Sequence, residues 1–410
     1  MSFLDEGSVK LGMMKVLVLV SDCPYPPISG SRVRNAHLWR EMKALGVDVR
    51  ILGLHQSEGQ SLRSHPDSIP SQYYFPNSSP FLVRAIHHLL YSYHQNPYSD
   101  DLAKEVVRTS EVWRPDVIHA EELRMTAYVP SISRLSYRPL RTATFHNVES
   151  DLIKKTGSTP ISAGKSIIEY FHLSNLIKME RQVAKTFDLA FAYSKLDCER
   201  YQQLYPSAIW RASRNGVSGN QIPFLPQVPS KNILLLGSLS YAPHSRGLIW
   251  FIEEVIPKLP ETLTFTFAGS GASPEIRNRI SAIPHAIFID TPLDLEPLYR
   301  SCSLVAVPLW EGSGTRTKIL ESLAYGRVVV TTPKGIEGLR FQESEGVFVT
   351  GNSTQFAERI AAQIEDREGR GILAEEGRKA VLKSHDWSVV ARELREAWIH
   401  ALGSTGSSKS

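Results

Sequence analysis

Cysteine is scarce in this chain, with three in 410 residues. Cys23, Cys198 and Cys302 stand far apart and in no ligand-like spacing, which argues against a disulfide framework or a structural zinc site and fits a reducing compartment. Long apolar runs are missing as well. No stretch approaches the roughly 20 apolar residues that a bilayer-crossing helix needs, and the opening MSFLDEGSVKLGM is acidic and polar where a signal peptide is basic and then apolar. The expected location is therefore cytoplasmic, with any membrane contact peripheral at the inner face. An excess of charge of one sign is also lacking. The 46 Lys and Arg against 42 Asp and Glu leave +4, too little to argue for nucleic acid, and no dense basic run occurs. The composition is that of a soluble globular protein, with length enough for two domains and two cores.

Strands and helices alternate along the chain twice over. MKVLVLVS (14–21) is a short β-branched run ending in a Pro/Gly turn, DCPYPPISG. It is followed by SRVRNAHLWREMKALG, whose Val33, Ala36, Leu38, Met42 and Leu45 suit an amphipathic helix stopping at Gly46, and then by the strand VDVRILGL. PDVIHAE (115–121), RTATFH (141–146) and DLAFAYS (188–194) are further strands with polar last residues, the end where parallel sheets bind ligands. Ser194 in YSKLD fits a helix capping box. The pattern restarts at KNILLLGSLSY (231–241) after the Pro-rich NQIPFLPQVPS (220–230), which reads as a linker. HSRGLIWFIEEVIPKL (244–259) is the next helix, LTFTFAGSG, AIFIDT, SLVAVPL and RVVVTT are strands, and HDWSVVARELREAWIHAL is a last amphipathic helix. The predicted fold is α/β, two Rossmann-like doubly wound domains facing a central cleft. Their boundaries are 14–219 and 231–385, with 386–402 a separate C-terminal helix and 403–410 a disordered tail.

Three Gly-containing turns follow strands. PYPPISGSRVR holds Gly30 with Arg32 and Arg34, GSLSY holds Gly237 and Ser238, and AGSGA holds Gly269. Each is weak alone, because such turns are common and none is a dinucleotide fingerprint; together they point to a phosphate-bearing ligand. WEGSGTRTKILESLAYG (310–326) carries more. Gly312, Ser313, Gly314 and Thr315 precede a helix predicted to begin near Thr315, so its free N–H groups suit an anion. Arg316 and Lys318 suit phosphate oxygens, the first as a planar fork and the second as a point charge. Glu321 can accept hydrogen bonds from vicinal hydroxyls such as those of a ribose. A diphosphate plus a ribose is a nucleotide. The bland alternative is a capped helix with solvated charges.

These residues, with the blocks HNVES, NGV (215–217), GSLSYAPHSRGLIWFIEEVIP and PLWEGSGTRTKILESLAYGRVVVTTPKGIEGL, resemble glycosyltransferase family 4 of the two-domain glycosyltransferase B fold. The resemblance runs over nearly the whole chain and is to bacterial members that build polysaccharides and glycolipids. It implies a retaining enzyme that moves a sugar from a nucleotide-diphosphate sugar to a hydroxyl of a glycan, lipid-linked or small-molecule acceptor, without a metal or other cofactor and without an enzymic nucleophile. It also implies that 14–219 is the acceptor domain, that 231–385 is the donor domain and that the helix 386–402 returns to the first. Glu321 matches the second Glu of the family's paired-glutamate motif. The first falls on Ser313, with Glu311 two residues upstream, so the group that holds the transferred sugar does not follow from the motif. The family's diphosphate-holding cations after the first donor-domain strand are represented only by Arg246, with Tyr241 and His244 before it, and their role passes to Arg316 and Lys318. His146 matches a His kept near the donor sugar. The implied donor set is thus Gly30, Gly237, Ser238, Tyr241, Gly269, Glu311, Gly312, Ser313, Gly314, Thr315 and Glu321, with His146, Arg316 and Lys318 catalytic. Arg34, Glu121 and Glu122 are the acceptor-side candidates. FLVRAIHHLLYSYHQ (81–95) has one apolar face beside basic and aromatic residues, which suits a packed helix or a peripheral membrane contact. Two other functions fit the same residues, a nucleotide-sugar epimerase and a non-catalytic two-lobed binding protein.

Overall fold

The β-branched and Leu-rich runs form two all-parallel sheets in a computed structural model of the chain. The structure describes residues 13–27, 30–54, 69–74, 99–145, 184–312 and 316–406, together with Ser174, Ile177, Lys178, Glu180 and Arg181.

The first sheet has the order β3 (Ser71–Tyr74), β2 (Asp48–Leu54), β1 (Lys15–Val20), β4 (Val117–Glu121), β5 (Leu140–Phe145), β6 (Leu189–Ala192) and β7 (Trp210–Ala212). Val16 of β1 lies beside Val49 on one side and Val117 on the other. Apart from Lys15 at the start of β1, strands β1 and β4 are buried, as a parallel sheet covered on both faces requires. Helices α1 (Gly30–Ala44), α2 (Asp100–Trp113) and α3 (Lys195–Leu204) belong to this unit. Ser99 caps α2 through the Leu102 N–H, and Ser194 caps α3 by accepting from the Asp197 N–H at 3.0 Å. The Ser194 hydroxyl also donates to the Asp197 carboxylate at 2.6 Å, in keeping with the YSKLD capping reading.

The second sheet has the order β10 (Ala286–Asp290), β9 (Thr264–Gly269), β8 (Asn232–Leu236), β11 (Leu304–Val307), β12 (Val328–Thr331) and β13 (Val347–Val349). Its helices are α4 (Ala242–Trp250), α5 (Pro274–Ser281), α6 (Glu296–Ser301), α7 (Thr317–Ala324), α8 (Ser353–Glu365) and α9 (Arg367–His385). The single helix expected over 244–259 is three pieces: α4 passes into a π turn at Phe251–Val255 and a 3-10 turn at Ile256–Lys258. Pro257 has no N–H with which to continue the α ladder.

The chain divides into Met1–Ser213 with Ala391–Ser410, and Arg214–Val390. The first division thus falls between Ser213 and Arg214, upstream of the Pro-rich stretch read as a linker. Arginines hold that stretch to the second unit. Arg378 donates to the carbonyls of Gly219 and Ile222, at 3.1 and 2.9 Å. Fully buried Arg327 donates to those of Leu225 and Pro226, at 2.9 and 3.1 Å, and to Tyr299 at 2.8 Å. The last helix, α10 (Trp387–Gly406), joins the first unit from Ala391 onward. There Trp398 stacks on Trp39, with ring centroids 6.4 Å apart and planes within 4°. α10 runs four residues past the expected end at 402, and the Ser404 hydroxyl bonds back to the His400 carbonyl at 2.9 Å.

Candidate functional site

In the second sheet the winding reverses between β8 and β11, so a ligand crevice is expected at their carboxyl ends. The turns leaving β8 and β9 are tied together there. The Gly237 N–H donates to the Ala268 carbonyl at 3.0 Å and the Leu239 N–H to the Ser270 carbonyl at 2.7 Å. Gly269 is dictated by fixed backbone, whereas at Gly237 a Cβ would meet the ends of side chains. A Cβ on Gly269 would stand 1.8 Å from the Gly237 oxygen, and one on Gly237 would stand 2.6 Å from Lys318 Nζ. Gly269→Ala should therefore unfold the second unit at a temperature lower by several degrees, through a clash with backbone that cannot yield. A calorimetric scan of variant against wild type checks this.

Helix α7 brings the cations to these turns. Its Ile319, Leu320, Leu323 and Ala324 are fully buried and fix one face in the core, which leaves Lys318 and Glu321 half-buried. The helix starts at Thr317 with Arg316 at its N-cap, two residues later than the sequence suggests. Lys318 Nζ donates to the Leu236 carbonyl at 2.6 Å and lies 3.3 Å from His244 Nε2. Burial first, and then the neighbouring Arg316, bring Lys318 down to about 7, against the pull of Glu321. Burial likewise pushes the Glu321 carboxyl up to about 7, opposed by Lys318. Arg316 is buried too. Desolvation lowers its pKa while Tyr241 and Glu337 favour the charged form. Gly312, at φ +97°, sits between them: a Cβ there would be 3.0 Å from the Tyr241 hydroxyl and 3.4 Å from Arg316 Nη2. Ser238 and Ser240 share a hydroxyl hydrogen bond of 2.9 Å in the same turn. Glu311 is ion-paired to Arg246, and Lys334 to Glu337.

Gly237 and Lys318 line one apolar-walled pocket with Leu236, Leu239, His244 and Pro308, and Ser238, Tyr241, Gly269, Gly312, Arg316 and Glu321 stand on the turns and the helix that supply those residues. Ser313, Gly314 and Thr315 lie outside the described residues. His244 and Glu337 join the group without having been singled out from sequence. The available signal for His244 was its position in the first turn of the helix that leaves the Gly237 turn. An ammonium, a guanidinium and a carboxylate carried by the first turns of one helix suit a ligand that has both phosphate and hydroxyl groups.

In the first unit the reversal lies between β1 and β4. Gly30 opens α1, with nothing within 4 Å of where its Cβ would stand. Arg34 and Glu121 are 1% and 0% exposed and face each other, Nε to Oε1, at 3.4 Å. Arg34 also donates to the Ser213 hydroxyl at 2.7 Å and lies over the Tyr193 ring at 4.6 Å. Glu121 is further approached by His119 Nε2 at 3.6 Å. Glu122 sits differently, at φ +78°, accepting from the Ser21 hydroxyl at 2.6 Å. His146 lies outside the described residues.

Comparison with known proteins gives this geometry a context. Residues 230–366 match the family Glycosyl transferases group 1. An uncharacterized 44.6 kDa protein in the cps region of Klebsiella pneumoniae is 24% identical over 364 residues, covering 85% of this chain and 90% of that protein. Among solved structures, Anabaena HepE in complex with UDP and glucose superposes with a TM-score of 0.66 at 16% identity, covering 94% of this chain and 99% of that one. Sucrose-phosphate synthase from Thermosynechococcus elongatus gives 0.70 at 13% identity, with 95% and 100% coverage. Residues 230–366 thus carry the match to the glycosyl transferases group 1 family, and the likeness to HepE and to sucrose-phosphate synthase shows that the chain has the glycosyltransferase B fold.

Proposed function

We propose that the protein is a retaining glycosyltransferase that takes a sugar from a nucleotide-diphosphate donor held by the second unit. The observation that carries this reading is the seating of Lys318 on the Leu236 carbonyl beside the Gly237 turn, with Arg316 at the N-cap of the same helix. HepE, of the same fold, is known in complexes with UDP and with UDP-glucose, which supports a nucleotide sugar as donor. The bond from the anomeric carbon to the β-phosphate oxygen breaks with its electron pair passing to that oxygen. Arg316 and Lys318 stabilise the charge that develops there, so this reading requires no metal ion. The acceptor hydroxyl enters on the leaving-group face, its proton passing to the departing diphosphate, and no residue is assigned as a nucleophile. The acceptor is a glycan, lipid-linked or small-molecule hydroxyl; the cps-region relative supports a role in building polysaccharide. Among the described residues no helix is long and apolar enough to cross a membrane. The stretch 81–95, the candidate for peripheral membrane contact, lies outside the described residues.

Screening UDP-, GDP- and dTDP-sugars for release of the nucleoside diphosphate tests the donor reading, and the anomeric coupling constant of the product tests retention. No release with any donor and any polysaccharide or lipid-linked acceptor would overturn it. Glu321→Ala should weaken affinity for the free nucleoside diphosphate by about tenfold or more, the loss expected for a hydrogen bond to a charged group. Unchanged affinity in titration calorimetry would remove Glu321 from the ribose role.

A further inference from the structure

The pocket contains one titratable side chain that the donor reading leaves idle. His244 occupies the first turn of α4 with Nδ1 at 3.0 Å from the Ser238 carbonyl and Nε2 at 3.3 Å from Lys318 Nζ. These two neighbours define its hydrogens. A carbonyl can only accept, so Nδ1 carries the proton; an ammonium can only donate, so Nε2 presents its lone pair. Protonation would set an N–H against the ammonium. Burial, followed by the Lys318 charge, accordingly holds the imidazole down at about 3 and keeps it neutral. Tyr241 closes its other side edge-on, with ring centroids 5.1 Å apart. Gly237 leaves the room, since a Cβ there would touch both Lys318 Nζ and His244 Nδ1.

We propose that His244 is a positioning residue for Lys318: its neutral Nε2 and the Leu236 carbonyl form a two-point seat that fixes the ammonium in place and keeps it charged for a diphosphate. The inference rests on the donor-site reading above and deepens it. Among the described residues, the charged and titratable groups that act on Lys318 are Arg316 and Glu321 from its own segment and His244 from α4. Strands β8, β9 and β11 contribute apolar side chains and the Leu236 carbonyl among the described residues. Of these, Arg316 disfavours the charged lysine and Glu321 favours it, so removing the imidazole acceptor leaves Lys318 with less to hold its proton.

The test uses the full chain, first without ligand. Competitive acetic anhydride labelling from about pH 5 to about pH 9, read by mass spectrometry, gives the pH at which Lys318 loses its proton in wild type, His244→Phe and His244→Gln. In His244→Phe that midpoint should fall by about one unit, the size expected for loss of one hydrogen bond to the charged form. His244→Gln, whose amide oxygen can accept from the ammonium, should restore most of it. UDP affinity supplies the second readout. It should fall as pH rises through the Lys318 midpoint, with His244→Phe about tenfold weaker than wild type at pH 8 and closer to it at pH 6, the difference a one-unit shift produces. An unmoved labelling midpoint in His244→Phe, or equal displacement in both variants, overturns the seat. Failure of wild type to bind UDP, GDP or dTDP would instead overturn the donor reading, while the ligand-free labelling still decides the role of His244.

Discussion

Lys318→Ala and Arg316→Ala should each lower turnover by about 10²-fold or more, the loss typical when one preorganised donor to a developing negative charge is removed. The charge in question appears as the sugar leaves the β-phosphate, so the deficit should fall mainly on kcat, with a smaller change in the affinity for the intact donor. The two residues are not equivalent in form. Arg316 presents a planar fork from the N-cap of α7, whereas Lys318 is a point charge seated on the Leu236 carbonyl. Arg316→Lys should therefore recover only part of the lost rate. Circular dichroism and thermal melts should show both alanine variants folded, because α7 is anchored by Ile319, Leu320 and Leu323 on its other face. Turnover near wild type in both variants would refute the assignment.

Trp398→Ala should destabilise the first unit by about 3–5 kcal/mol, the usual cost of emptying a buried aromatic site. The ring is fully buried between Trp39, on which it stacks, and His119, whose ring centroid lies 5.4 Å away edge-on. His119 cannot move to fill the space, being held by the Thr142 and Thr144 hydroxyls at 2.7 and 2.9 Å. Trp398→Phe should cost clearly less, because the indole N–H makes no hydrogen bond among the described residues and only ring area is lost. Denaturant titration followed by tryptophan fluorescence reads both. A Trp398→Ala protein as stable as wild type would mean that the last helix contributes little to this unit.

What could be read from sequence was whatever is local. The central strands of both sheets announce themselves as short apolar runs, because a parallel strand covered on both faces must be apolar throughout. Arg316, Lys318 and Glu321 could be grouped because six residues of one segment carry all three. The edge strands β3, β7 and β13 could not be recognised, since three or four residues, partly exposed, leave no run or alternation to detect. His244 and Lys318 are 74 positions apart, and Arg34 and Glu121 are 87 apart, so their partnerships exist only once the sheets are wound. The Pro-rich stretch 220–230 misled for the same reason. Its composition says linker, while the arginines that fasten it lie more than a hundred residues downstream.

That fastening decides where the chain can be dissected. A second unit expressed from Lys231 onward, as composition would suggest, deprives Arg327 of the Leu225 and Pro226 carbonyls and leaves a fully buried guanidinium two acceptors short. The same cut strips Arg378 of Gly219 and Ile222. A fragment that begins at Arg214 keeps all four carbonyls, so the place for the scissors is set by the reach of two arginines and not by the prolines.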